Sequence, residues 1–504
     1  MKGKIKIKKV SISILISILV LTIDNLCFCQ VDKHLETVNS IMDYMVKNSR
    51  FSGTVLITEE GKSVYNKSFG YANIELGIHN DLNTAYDIAS SIKPMVAAGV
   101  LRLHEEGKLD IDDDITKYFE KLPSNGIKIK HLLSHTSGLP EYTHNPNFEN
   151  FIRSKMKMDS GYVVSNKDLI EWLSGNHQVE FGPGEKYKYC NGNYVLLCSI
   201  IEKVTGLTFY DFMRKYVINP AGMTNSKLYD ELENYKTSER SLGYERTKEG
   251  KYVPYFSTHF IGGMQGDGGL YSTTSDLQKF LTCFLDGKII SKKLVAEAIT
   301  PYKLNSGGVG LYGLGWIIRE EGYQGRSLTI KHGGRWEGFL NAFAYEPQNE
   351  ISIIVLTNNS MYPPTIGELE KALSDALAGK ELAMPRFPII DSVSQTLYLK
   401  GVDSAIDLFQ NLKSKSPTKY FIDENEMNYL ALSLVWENRK EDAVKLLELN
   451  WQEFPDQPNN YDSIGDIYKE LGNLERAKKA YLKALSLDPK RESTRKKLDS
   501  IEQK

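Results

Sequence analysis

The chain has 504 residues, 41% hydrophobic and 25% charged, with a formal net charge of −2. That length allows roughly three domains of ~100–200 residues, and the composition is that of an ordinary globular protein, which excludes global disorder. The first 29 residues carry five lysines and one aspartate, so without them the net charge is −6; a mildly acidic chain with no basic stripe argues against nucleic acid as a partner.

The N-terminus opens with Lys2, Lys4, Lys6, Lys8 and Lys9, then runs apolar from Val10 to Ile23. Charged-then-apolar order and a run too short to span a bilayer comfortably predict a secretory signal over residues 1–29, cleaved near Cys29–Gln30. The protein is then periplasmic or secreted. An uncleaved anchor, or lipidation at Cys27 or Cys29, is the alternative that would tie it to a membrane. Beyond the leader only Cys190, Cys198 and Cys283 remain, too few for a disulfide framework. A chain this long needs no staples. The nine histidines are scattered, without metal-ligand spacing, so no metal or other cofactor is expected.

Phe51 to Gly70 alternates in strand fashion around Glu59-Glu60-Gly61-Lys62 and reads as a hairpin. Ser90 to Gly107 reads as a helix, with Met95, Val96, Val100, Leu101 and Leu103 as its apolar set. Pro94 fits only in the first turn, which places Ser90 at or near the helix start. Helices at Leu169–Leu173 and Val195–Val204 lie among Gly/Pro-rich loops. Leu314–Arg319, Leu328–Lys331, Phe339–Tyr345 and Ile351–Leu356 read as consecutive antiparallel strands, followed by a helix from Ile366 to Leu377. Strands at both ends of a helical middle predict an α+β domain over residues 30–380, its sheet assembled from both ends of the sequence.

Pro385 and Pro388 mark a linker at 381–391. From 392 to 504 the pattern repeats. Ala443, Leu447 and Pro455 recur 34 residues on as Ala477, Tyr481 and Pro489, and Ala405, Phe409 and Pro417 keep the same internal spacing. A period of ~34 residues with small, aromatic and proline landmarks predicts an all-α array of helix pairs. Its alanines admit close helix approach, and its aromatics fill the space between units.

Three clusters carry chemistry. In Ser90-Ser91-Ile92-Lys93 the serine and lysine are three apart and share a helix face. A lysine in a buried pocket loses its proton near neutral pH and can activate the serine. The same tetrad begins at Ser154, Ser416 and Ser493, so only the apolar, proline-bearing setting of Ser90 singles it out. In Tyr189-Cys190-Asn191 a tyrosine beside a lysine can have a lowered pKa and act as base, and Asn191 can bond a substrate carbonyl or the lysine. His332-Gly333-Gly334 ends a strand, where glycines let a substrate approach backbone N–H groups.

In this order, the stretch 50–378 resembles the serine β-lactamase-related hydrolases: class C β-lactamases, their esterase relatives and the D-amino-acid-specific peptidases. His131-Leu132-Leu133-Ser134-His135-Thr136-Ser137-Gly138-Leu139, Gly268-Gly269-Leu270-Tyr271-Ser272 and Gly313-Leu314-Gly315-Trp316 add to the likeness, and the C-terminal array resembles tetratricopeptide repeats. The resemblance implies a β-lactamase/transpeptidase-like sheet flanked by helices, with an acyl-enzyme mechanism. It implies Ser90 as nucleophile, Lys93 as activator and Tyr189 as base. The N–H groups of Ser90 and Arg335, beyond Gly334, would form the oxyanion hole, and His332 would hold Tyr189 or the substrate.

One departure stands out. Many members present Lys-Thr-Gly, whose hydroxyl and charge help hold a substrate carboxylate; here His332 and Gly333 replace Lys and Thr. The missing donor is worth about 1.5–3 kcal/mol to a charged acceptor. An ester or D-amino-acid amide is therefore the expected substrate. A β-lactam or D-alanyl carboxypeptide, or a non-catalytic cell-wall binder, are the rivals. Arg335 is a candidate substitute charge, and the repeats are expected to bind a protein or peptide.

Overall fold

The computed structural model describes residues 34–122, 126–159, 162–175, 179–230, 239–255, 263–320, 328–336, 338–359 and 363–502. The expected leader, with Cys27 and Cys29, lies outside the described residues. The chain divides into two compact units. One runs to Glu245 and resumes at Pro254–Met384; the other joins Arg246–Val253 to Pro385–Lys504.

The first unit is built on a six-stranded sheet. After a helix α1 over residues 34–47, β1 (Gly53–Glu59) and β2 (Lys62–Phe69) form the N-terminal hairpin. β3 (Ile317–Glu320), β4 (Leu328–Trp336), β5 (Phe339–Glu346) and β6 (Ile351–Thr357) follow much later. The order is β3-β4-β5-β6-β1-β2, antiparallel throughout. β6 pairs with β1 from Gly53↔Thr357 to Glu59↔Ile351, so the two ends of the unit's sequence meet inside one sheet. Every residue of β6 is buried. Helices explain this: α4 (Thr274–Leu285) packs on β6 and β1, and α5 (Pro363–Leu377) on β5 and β6. Their contacts alternate along the strand, Ser352 bonding Gln278 of α4 and Ile351 and Ile353 facing α5 residues such as Glu370, as the two-residue period of a strand requires.

The helical middle supplies α2 (Lys93–Glu105) and α3 (Asn191–Thr205). α2 is buried nearly all round, from Lys93 to Leu103, which marks it as the central helix of the core. Pro94 sits in its first turn, where the missing N–H leaves no bond unmade. Cys190, Cys198 and Cys283 are buried and unbridged.

One local reading changes. The strand expected from Leu314 begins only at Ile317. Gly315 has φ +99°, and a Cβ there would lie 2.5 Å from Ala97 Cβ, so Leu314–Trp316 packs as a loop against α2. Tyr71–Asn73 is a short strand paired with Ile78–His79; the turn between them has Asn73 Oδ1 accepting the Leu76 N–H at 2.9 Å.

The second unit stacks helix pairs: α6 (Ile389–Lys400) with α7 (Val402–Lys415), α8 (Glu424–Trp436) with α9 (Lys440–Glu453), and α10 (Pro458–Glu470) with α11 (Leu474–Leu487), closed by α12 (Glu492–Glu502). α6 begins inside the segment expected as linker. The sequence landmarks coincide with the helices. Ala405 and Phe409, Ala443 and Leu447, and Ala477 and Tyr481 occupy the same turns of α7, α9 and α11 and are fully buried. Pro417, Pro455 and Pro489 lie just past those helices. Gly465 on α10 is forced by packing, since a Cβ there would sit 2.5 Å from Tyr481 Cε1. Arg246–Val253 belongs to this unit although its sequence lies within the expected 30–380 domain. Arg246 pairs with Asp391 at 3.4 Å, Gln395 donates to the Glu249 carbonyl at 3.0 Å, and Lys248 lies 4.8 Å over the Tyr398 ring and pairs with Glu437.

Candidate active site

Ser90 lies in a 3₁₀ turn, Ala89–Ile92, directly ahead of α2. Ala89 has φ +46°, a strained value for a residue with a side chain. The turn is held from several sides. Asp87 Oδ1 accepts the Ala89 N–H at 2.8 Å, and Asn341 Nδ2 on β5 donates to the Asp87 carbonyl at 2.8 Å. The Ile88 N–H bonds the Leu270 carbonyl at 3.0 Å. Gly334 on β4 lies so close that a Cβ would be 2.0 Å from the Ile88 carbonyl oxygen. Gly334 is thus a packing requirement of the nucleophile turn.

Lys93 is fully buried while Ser90 is half-buried. Lys93 Nζ donates to Ser90 Oγ at 2.8 Å, to Asn191 Oδ1 at 3.0 Å and to the Asp267 carbonyl at 3.0 Å. These three acceptors account for the three protons of an ammonium. Burial nevertheless pushes its pKa down to about 8, against the opposing charges of Asp267 and Glu141. When Lys93 loses a proton, two partners, an amide oxygen and a peptide carbonyl, can only accept. Ser90 alone can reverse its bond and donate. The geometry therefore directs the lone pair of neutral Lys93 at the Ser90 hydroxyl.

Asn191 is the first residue of α3; its N–H donates to Glu141 Oε2 at 2.6 Å. Tyr189, just before the helix, lies with its ring centroid 5.2 Å from Lys93 Nζ. Burial raises its phenol pKa well above the ordinary value, with an opposing pull from Ser90. This reverses the expected direction: desolvation outweighs the neighbouring lysine, so Tyr189 is a neutral phenol at neutral pH.

His332 is corrected as well. Its Nδ1 faces the Gly333 carbonyl at 2.7 Å and its Nε2 the Tyr312 hydroxyl at 2.9 Å. A carbonyl only accepts, so Nδ1 carries the proton and Nε2 accepts from Tyr312. Burial and Lys93 push its pKa down to about 3. Both nitrogens are engaged within the protein, and the ring centroid is 6.3 Å from that of Tyr189.

Arg335 takes the opposite side of the strand. Along β4, His332 and Gly334 are buried and Gly333 and Arg335 exposed. Gly334 faces the nucleophile turn, so the Arg335 side chain leaves the strand on the other face, that of Gly333. Beyond Lys331, β4 is free of β3, whose pairing covers only Leu328–Lys331.

The structure brings Ser90, Lys93, Tyr189, Asn191, His332 and Gly334 together. Residues 38–376 match the beta-lactamase family model. The chain belongs to the beta-lactamase family. It is a serine hydrolase of the acyl-enzyme type, and residues 458–491 match a tetratricopeptide repeat. This beta-lactamase family chain is 31% identical over 370 residues to penicillin-binding protein 4* of Bacillus subtilis (strain 168), across 71% of this chain and 78% of that protein. An octameric penicillin-binding protein homologue from Pyrococcus abyssi is similar in structure, with a TM-score of 0.58 and 28% identity over 72% of this chain and 81% of that one. D-Amino acid amidase from Ochrobactrum anthropi SV3 shares the fold, with a TM-score of 0.52 and 21% identity over 75% and 99% of the two chains.

Several site groups were not legible beforehand. Asp267 contributes its main-chain oxygen, which no side-chain pattern signals; its place before Gly268-Gly269 was the one available hint. Its carboxylate accepts the Tyr142 hydroxyl at 2.7 Å. Glu141, Tyr142 and His135 flank or lie in the His131–Leu139 motif, which had been given no role.

Proposed function

We propose that this hydrolase is exported and cleaves an ester or an amide through an acyl-enzyme on Ser90. The carrying observation is the partner set of Lys93, in which only Ser90 can answer a neutral amine by donating. Ser90 Oγ attacks the carbonyl carbon as its proton passes to Lys93 Nζ. The N–H groups of Ser90 and Arg335 receive the oxyanion. Tyr189, a neutral phenol, gives its proton to the leaving group and regains one from Lys93. Water then attacks the acyl-enzyme carbonyl while its proton passes to Tyr189 and the phenol's own to Lys93 Nζ; the acyl–Oγ bond breaks, Lys93 returns the proton to Ser90 Oγ, and the acid is released.

Charge favours a substrate without a carboxylate beside the scissile bond. Asp267 and Glu141 are the carboxylates felt by Lys93 and Tyr189, and the third motif lacks Lys and Thr. An ester or a D-amino-acid amide suits that field. A penicillin-recognising β-lactamase or carboxypeptidase is the second reading, favoured by the likeness to a penicillin-binding protein. Rates on p-nitrophenyl acetate, D-alanyl amides and nitrocefin separate the two. Ser90→Ala in the folded protein abolishes labelling by a fluorophosphonate; labelling that persists overturns the assignment.

The Lys-rich, apolar N-terminus supports export, tested by sequencing the N-terminus of the mature protein from the producing cell. The repeat unit supports a protein or peptide partner. Loss of a pull-down partner on deleting residues 390–504, with unchanged ester hydrolysis, supports recruitment.

A further inference from the structure

His135 has no part in that proton path, yet it is fully buried against it. We propose that His135 is the positioning residue for Tyr189. Three contacts carry this. The His135 carbonyl accepts the Lys188 N–H at 3.0 Å, and its Nδ1 accepts the Cys190 N–H at 3.1 Å. These two bonds grip the chain on either side of Tyr189. The imidazole also lies against the Tyr189 ring, with centroids 4.2 Å apart and planes at 31°. Tyr312 and His332 are looser neighbours, at 6.5 and 6.3 Å.

The tautomer follows from the partners. A backbone N–H can only donate, so Nδ1 holds a lone pair and Nε2 the proton. Nε2 is buried without a hydrogen-bond partner among the described residues. The Tyr312 ring lies 4.7 Å away at 77°, an arrangement suited to a weak N–H···π contact. Burial, Lys93 and His332 hold the imidazole neutral. A neutral ring with an orphaned donor is a poor proton carrier, so its contribution is geometric. The backbone agrees: His135 has φ +55°, a left-handed conformation that lets one residue present both its carbonyl and its ring to the 188–190 segment.

This inference rests on Tyr189 as proton shuttle, and a double-mutant cycle on p-nitrophenyl acetate with the full-length protein tests both. His135→Phe keeps a ring and removes the acceptor. It is expected to lower kcat about tenfold or more with KM within about twofold, and to cause no further loss in a Tyr189→Phe background. His135→Asn restores an acceptor and tolerates positive φ, and is expected to recover part of kcat. Losses that multiply in the two backgrounds overturn the positioning role, as does unaltered kcat in His135→Phe. Should His135→Phe not fold, the cycle with His135→Asn decides by the same criterion. Unaltered kcat in Tyr189→Phe alone overturns the shuttle reading instead.

Discussion

Lys93 Nζ and the main-chain oxygen of Asp267 lie 3.0 Å apart, although 174 residues separate them in the chain. The contact ties the start of α2 to the loop before Leu270–Ser272, which pairs with Tyr86–Asp87 just ahead of the nucleophile. Lys93 and the turn that carries Ser90 are thus held by one small sheet as well as by the helix. It also brings the Asp267 carboxylate near enough to oppose the desolvation of Lys93.

The pH dependence follows from the depressed pKa of Lys93, about 8. Its neutral fraction grows as pH rises, from about a tenth at pH 7 to about nine-tenths at pH 9. kcat/KM is expected to rise with pH along an acid limb centred near 8. Asp267→Asn keeps an acceptor for Tyr142 and removes the charge, so the limb moves to lower pH by about 1 unit or less. A limb that stays or moves upward refutes this account of Lys93.

Gly334→Ala brings a methyl group to within 2.0 Å of the Ile88 carbonyl oxygen. Neither backbone can yield without moving the serine turn. Hydrolysis is expected to fall about a hundredfold or more, with about 1–3 kcal/mol of lost stability. Steady-state rates and thermal unfolding of the same variant check both.

Tyr312→Phe removes the donor that satisfies His332 Nε2, leaving a buried acceptor unpaired at a cost of about 1–3 kcal/mol. A lower midpoint in denaturant with an unchanged slope is the expected signature. Wild-type stability in this variant would show that His332 finds another donor.

In the repeat unit, Gly465→Ala sets a Cβ 2.5 Å from Tyr481 Cε1. Overpacking of this kind destabilises by about 1–3 kcal/mol. Faster amide exchange in α10 and α11 measures it, and unaltered protection there contradicts the packing described.

Much of this was open to reading in the chain. The N-terminal hairpin, the late strands and the repeat helices are set by local periodicity and turn residues. Ala443 and Ala477 mark helix contacts because only small side chains fit there. Ser90, Lys93, Tyr189 and Asn191 were legible because their types and spacing are chemical. The register of β1 on β6, and the assignment of Arg246–Val253 to the repeat unit, were not, since neither depends on neighbours in sequence.

The amino-acid sequence alone determined which side chains are candidates for chemistry, because hydroxyl, amine, phenol and amide are properties of residue type. Tertiary structure alone decided what those groups are at a given pH and where they point. Burial raises Tyr189 where a lysine neighbour had implied lowering, Tyr312 takes the free nitrogen of His332, and strand alternation sets Arg335 on the face of Gly333, opposite Gly334. Each outcome depends on desolvation, on partners distant in the chain or on the face of a strand, and none of these is a property of a motif.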